Sequence, residues 1–140
     1  MPSNSKPRKK YTPKPIGKPM GAGLGDKLVL IPHVAVARLI SDQCDGEDAH
    51  SLLAFLNVAY RVYEKRGKPD QRGKLIMDAM LSMKCALDRD EDAPKVTAAE
   101  LHIIKTGVTV GDNLISGALS HEVAEAISFV WEKVHERETY

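Results

Sequence analysis

The sequence predicts an all-α protein: a small bundle of about five helices with an extended, basic, Pro/Gly-rich N-terminal arm. Three observations lead there. From about residue 26 onward apolar residues recur at three- and four-residue spacing. No stretch shows the alternation with period two that a half-buried strand requires. Only seven of 140 residues are Phe, Trp or Tyr while 43% are hydrophobic, so the core is aliphatic and Met-filled, a composition that favours helices. Residues 26–140 are read as one α-helical domain, of a length that buries roughly two thirds of its unfolded surface. Residues 1–25 are read as arm and hinge.

Each helix has its own local signals. The first is expected from Asp26, a possible N-cap, to Ile40, with Ile31, Val34, Ala35 and Arg38 on one face. Pro32 suits a first turn, where its missing N–H is no loss, which would move the start toward Ile31. Asp45 caps the second helix, Glu47 and Asp48 occupy its positive first turn, and Leu52, Phe55, Leu56, Ala59, Tyr60 and Tyr63 form its stripe. Lys65, Arg66 and Gly67 end it. The third starts near Asp70, runs through Leu75, Ile76, Ala79, Met80, Met83 and Leu87, and stops in the acidic run from Asp88 to Asp92 before Pro94.

Thr97 and Glu100 make a capping box for the fourth helix, whose apolar face is Leu101, Ile104, Val108 and Ile115. Gly107 and Gly111 inside it are poor helix formers and predict either a close helix contact or a kink. Ser120 is the expected cap of the last helix, with Val123, Ile127, Val130, Trp131 and Val134 as its stripe.

Charge divides the chain. Lys6, Arg8, Lys9, Lys10, Lys14 and Lys18 stand in the first twenty residues with five prolines and no acid. Of the chain's 20 Lys and Arg this leaves 14 for the rest, against all 19 Asp and Glu. The net charge of +1 thus combines a +6 arm with a −5 body. Prolines favour extended polyproline conformations, in which twenty residues reach on the order of 60 Å. Gly21, Gly23 and Gly25 supply a hinge.

Several fragments of catalytic or metal motifs fail on context. The Gly21-Ala22-Gly23-Leu24-Gly25 run follows no strand and lacks the GK[ST] of a phosphate loop. His121-Glu122 begins like HExxH, but Glu125 stands where the second histidine should be, so an acidic first turn is the simpler reading. Asp88, Asp90 and Asp92 have calcium-loop spacing, yet Ala93 replaces the turn glycine and Ala99 the closing glutamate. That run remains a candidate contact for a basic partner. His33, His50, His102, His121 and His135 are scattered over four helices without the Glu-x-x-His pairs of a di-iron bundle. No Ser, Cys or Lys has an identifiable base, so neither catalysis nor a metal or cofactor is expected.

Cys44 and Cys85, 41 residues apart without CxxC spacing, read as free thiols in a reducing compartment. Residues 11 to 23 are mostly Pro, Gly and Lys where a secretory leader would be apolar, and the run from Leu28 to Ile40 is short for a bilayer and broken by Pro32, His33 and Arg38. A cytoplasmic protein making no membrane contact is expected.

The segment Arg8-Lys9-Lys10-Tyr11-Thr12-Pro13-Lys14-Pro15-Ile16, followed by a small helical body, resembles the small uncharacterised accessory proteins of bacteriophages and proteobacterial prophages. That class includes DNA-associated factors, virion components and inhibitors of host defence, so the resemblance implies a binding function and transfers no site residue. From the residues themselves, Lys6, Arg8, Lys9, Lys10, Lys14 and Lys18 form a polyanion- or partner-binding site, and Tyr11 offers a ring for stacking on an unpaired base. Nucleic acid and a protein surface, including that of a sister subunit in a homo-oligomer, both fit as partner.

Overall fold

The computed structural model describes residues 24–138, with side chains described for residues 30–133. Five helices follow in order: α1 Leu24–Ile40, α2 Gly46–Lys65, α3 Gln71–Arg89, α4 Ala98–Ser116 and α5 Ser120–Glu138. The all-α bundle expected from the periodicity is what the described residues form.

Helix α2 is the hub, packing against each of the other four helices, and α3 and α4 form the most intimate pair. Local chemistry sets its start. The Asp45 carboxylate accepts the Asp48 N–H at 2.8 Å while the Asp48 carboxylate accepts the Asp45 N–H at 3.2 Å, a reciprocal capping box. Accepting backbone N–H bonds stabilises the ionised form, so the Asp45 carboxyl is held below the usual carboxylate range. At its other end, Gly67 adopts a left-handed φ of 77° and the chain turns back. The Tyr63 hydroxyl then closes the loop, donating to the Asp70 carbonyl at 2.9 Å and accepting the Asp70 N–H at 2.7 Å.

Asp70 caps α3, accepting from the Arg72 backbone N–H, and Thr97 with Glu100 caps α4 through the expected box. Arg89 ties α3 to α4: its guanidinium donates to both Glu100 oxygens, at 2.6 and 3.0 Å, and to the Lys95 carbonyl at 2.8 Å. Those hydrogen bonds, with those of Thr97, hold the Glu100 carboxyl below its ordinary range.

Gly107 and Gly111 mark close helix contacts. A Cβ on Gly107 would collide with the Ala79 Cβ of α3, and one on Gly111 would lie 3.0 Å from the Phe55 ring of α2. Around these contacts the largest fully buried side chains are Phe55, Leu52, Leu56, Ile76, Met83 and Ile104.

Four sequence expectations are corrected. Pro32 lies well inside α1 and Asp26 is a helix residue, with the helix starting at Leu24. An interior proline costs a helix about 3 kcal/mol, which complete burial of the Pro32 side chain helps offset. The core face of α1 is Pro32, Ala35 and Leu39, while Ile31 and Val34 are 40% and 45% exposed. The carbonyl of Leu119 accepts the first bonds of α5, and its N–H is met by the Glu122 carboxylate at 2.8 Å, so Leu119 and not Ser120 occupies the cap position. Trp131 is 61% exposed, because the buried stripe of α5 is centred on Val123 and Ala126 with Ile127 and Val130 beside them.

The two cysteines differ in environment. Cys44 is buried at the α1/α2 junction, where burial, with the nearby Asp48 and Asp45, pushes its thiol up to about 11. Cys85 is exposed on α3. Titration with Ellman's reagent at pH 8 is expected to release one equivalent per native chain and two in denaturant, with Cys85→Ser abolishing the native reaction. Two fast equivalents from the native protein would contradict this.

Candidate functional site

The residues assigned by sequence to polyanion or partner binding, Lys6, Arg8, Lys9, Lys10, Tyr11, Lys14 and Lys18, lie outside the described residues, as do Gly21 and Gly23 of the hinge. The described part of the molecule is the surface to which that segment is attached at Leu24.

Most charged side chains there are committed to one another. Arg38 donates to Asp48 at 3.3 Å, joining α1 to α2, and Lys95 meets Asp42 at 3.0 Å across two loops. Arg61 on α2 meets Glu125 on α5 at 3.1 Å, and its guanidinium carbon lies 3.6 Å from the Phe129 ring centroid. The ring's negative face and the carboxylate together hold that cation in place. Glu122 serves the α5 cap and stands 3.7 Å from Arg66. Both glutamates of the HExxH-like fragment therefore have structural partners.

The Asp88 to Asp92 run follows the same logic. The Asp90 carboxylate accepts the N–H groups of Asp92 and Ala93, both at 3.1 Å, so it shapes the turn that ends α3. Among the described residues no group of three or more His, Cys, Asp and Glu is placed to hold a metal ion. His33 reaches Asp112 with Nε2, pinning α1 to α4.

Among the concavities formed by the described residues, three are notable. A groove of about 430 Å³ between α1 and α2 is lined by Leu30, Ile31, Val34 and Ala35, with Asp48 and Ser51 from α2. A cleft of about 540 Å³ among α2, α3 and α5 has Leu53, Ala54, Leu87 and Val130 as apolar lining and His50, Asn57, Lys84, Asp88 and Glu91 as polar lining. It contains both signs of charge and no Ser, Thr or Cys nucleophile among its lining residues. A smaller pocket of about 160 Å³ surrounds the Arg61–Phe129 contact, with Tyr60 and Lys133 beside it.

Sequence reasoning missed the first groove. Its signal was present: the α1 sequence LGDKLVLIPHVAVARLI is apolar nearly all round, the pattern of a helix covered on more than one side. Here one side meets α2 and α4, and Leu30, Ile31 and Val34 stay open at 61%, 40% and 45% exposure. Comparison of the chain with protein-family models, with curated proteins and with solved structures finds no match. Among the described residues no helix is long and apolar enough to cross a membrane.

Proposed function

We propose that this protein is a non-enzymatic binding protein whose basic N-terminal segment engages a polyanion, most simply nucleic acid or a nucleic-acid-containing complex. One observation carries the reading: six Lys and Arg without an acid in residues 1–20, joined to a body with five more acids than bases. The body repels a polyanion, so contact is confined to the segment, whose cations bind by releasing condensed counterions. Tyr11 adds stacking on unpaired bases. The resemblance proposed from residues Arg8 to Ile16 to phage and prophage accessory proteins agrees with a binding role, and no cofactor is invoked.

Fluorescence anisotropy with labelled single- and double-stranded 20-mers, titrated from 50 to 300 mM salt, tests this. Neutralising six phosphates predicts a log-log slope of about −5 and a Kd in the range of about 10⁻⁴ to 10⁻⁶ M at physiological salt. Changing Lys6, Arg8, Lys9, Lys10, Lys14 and Lys18 together to Gln is expected to flatten the slope to near zero. Wild-type protein that binds neither strand form, or a variant that binds as wild type does, would overturn the proposal.

The opposite charges of segment and body favour a second reading, a protein-protein adaptor, inhibitor or assembly component whose arm lies on a partner or sister subunit. Light scattering across a concentration series of the full chain tests the sister-subunit form. That form predicts a particle larger than 15.4 kDa which the six-Gln variant reduces.

A further inference from the structure

Helix α2 carries a second stripe beside its core face. His50, Leu53, Ala54, Asn57, Tyr60 and Arg61 recur at helical spacing and line the clefts of about 540 and 160 Å³, which share Asn57 and Val130 and so make one groove. Its walls are α3 and α5, which both pack on α2 and make at most marginal contact with each other. From His50 to Glu64 the groove follows α2 for about 21 Å, or four helical turns.

The floor is apolar and one end is acidic. Leu53 is buried, and Leu87 and Val130 are partly buried against the core. Beside the start of α2, Lys84, Asp88 and Glu91 line the groove, and among the described residues none of the three enters an ion pair. A Cβ on Gly46 would lie 2.5 Å from the Glu91 carbonyl oxygen, so the loop after α3 rests on the first turn of α2 and keeps Glu91 at that end. The far end is balanced: Arg61 and Lys133 lie 3.6 and 5.5 Å from the Phe129 ring centroid, with Glu64 and Glu125 beside Arg61.

We propose that this groove docks an amphipathic helix of a partner protein, its apolar face on Leu53, Leu87 and Val130 and a Lys or Arg pair at one end over Asp88 and Glu91. Charge complementarity and backbone chemistry select that occupant. An extended segment would lay its N–H and C=O groups over an apolar floor with no strand edge to pair with, whereas a helix satisfies its own. The acids repel a polyanion. The groove shares no residue with the basic N-terminal segment, so this inference and polyanion binding stand or fall separately.

Two labelled synthetic 16-residue helices test it by fluorescence anisotropy, alike in a leucine face and differing only in carrying two Lys or two Glu in the last turn. The wild-type chain is expected to bind the Lys peptide about tenfold tighter than the Glu peptide, and the double variant Asp88→Lys, Glu91→Lys to reverse that order. Ala54→Arg, on an exposed floor position, should weaken the Lys peptide about tenfold with thermal unfolding unchanged. In ¹⁵N-correlated NMR spectra the Lys peptide should shift Ala54, Asn57, Leu87 and Val130 and leave Leu30 and Val34 in place. Changing the six basic residues of the N-terminal segment to Gln should leave this binding at least as tight. Equal affinity for both peptides, no binding up to about 1 mM, shifts outside the groove, or loss of binding in the six-Gln variant would each overturn the proposal. So would a dimer in light scattering that Ala54→Arg converts to monomer, which would assign the groove to a second copy.

Discussion

Replacing Phe55 with alanine is expected to lower the free energy of unfolding by about 3–5 kcal/mol, the range for truncating a buried aromatic. Phe55 is 1% exposed, on the helix that touches all the others, and its ring packs against the backbone of α4 at Gly111. The void would open between α2 and α4, and helices crossing this closely have little freedom to close it. A domain of this size has roughly 5–15 kcal/mol of stability in total. Urea denaturation followed by helical circular dichroism should show a large fall in midpoint with an unchanged slope. A loss below 1 kcal/mol would mean that Phe55 is not the centre of the core.

Gly107→Leu tests the opposite failure, overpacking, and is expected to cost about 3 kcal/mol, the upper end for such changes. Even the first carbon of the new side chain would overlap the Ala79 Cβ and sit 3.1 Å from the Leu75 carbonyl oxygen. Neither neighbour is the far end of a flexible chain, so relief requires α3 and α4 to separate along the bundle's tightest contact. The roughly 1 kcal/mol gained by removing a helical glycine does not offset this. Thr109→Leu, two residues along on the exposed face, supplies the control and should stay within about 0.5 kcal/mol of wild type. Equal behaviour of the two variants in the same urea experiment would contradict the close contact.

These two sites show how unevenly the sequence could be read. The stripe containing Phe55 was legible because α2 has one apolar face and a polar one, and a 3.6-residue period projects that face directly. Gly107 was legible as an anomaly in a good helix, but its meaning was open: a kink and a close contact share the same residue. Ala79 decided it, from a helix some thirty residues away in sequence. The caps at Asp45 and Thr97, and the start of α3 near Asp70, were readable because a cap involves atoms within three residues of one another. Leu119 was missed because its N–H is satisfied by Glu122, and a serine next door supplied the more familiar signal.

The candidate site divides in the same way. A basic segment on an acidic body is a matter of composition and needs no fold to be seen. The α1/α2 groove was only half legible: a helix apolar nearly all round signals apolar surface beyond one core face, but the periodicity cannot say which side is covered.

By itself the sequence determined the helical class, the number of helices, most of their ends, and the separation of charge between arm and body. Each of these depends on neighbours in the chain, through backbone hydrogen bonding, side-chain period or simple counting. Only the tertiary structure decided how each helix is rotated about its axis: that α1 buries Pro32, Ala35 and Leu39 and leaves Leu30, Ile31 and Val34 open, that Trp131 faces outward, and that Gly107 meets Ala79. Rotation is set by competition among faces for the apolar area that packing removes from water. That competition is resolved between helices distant in sequence.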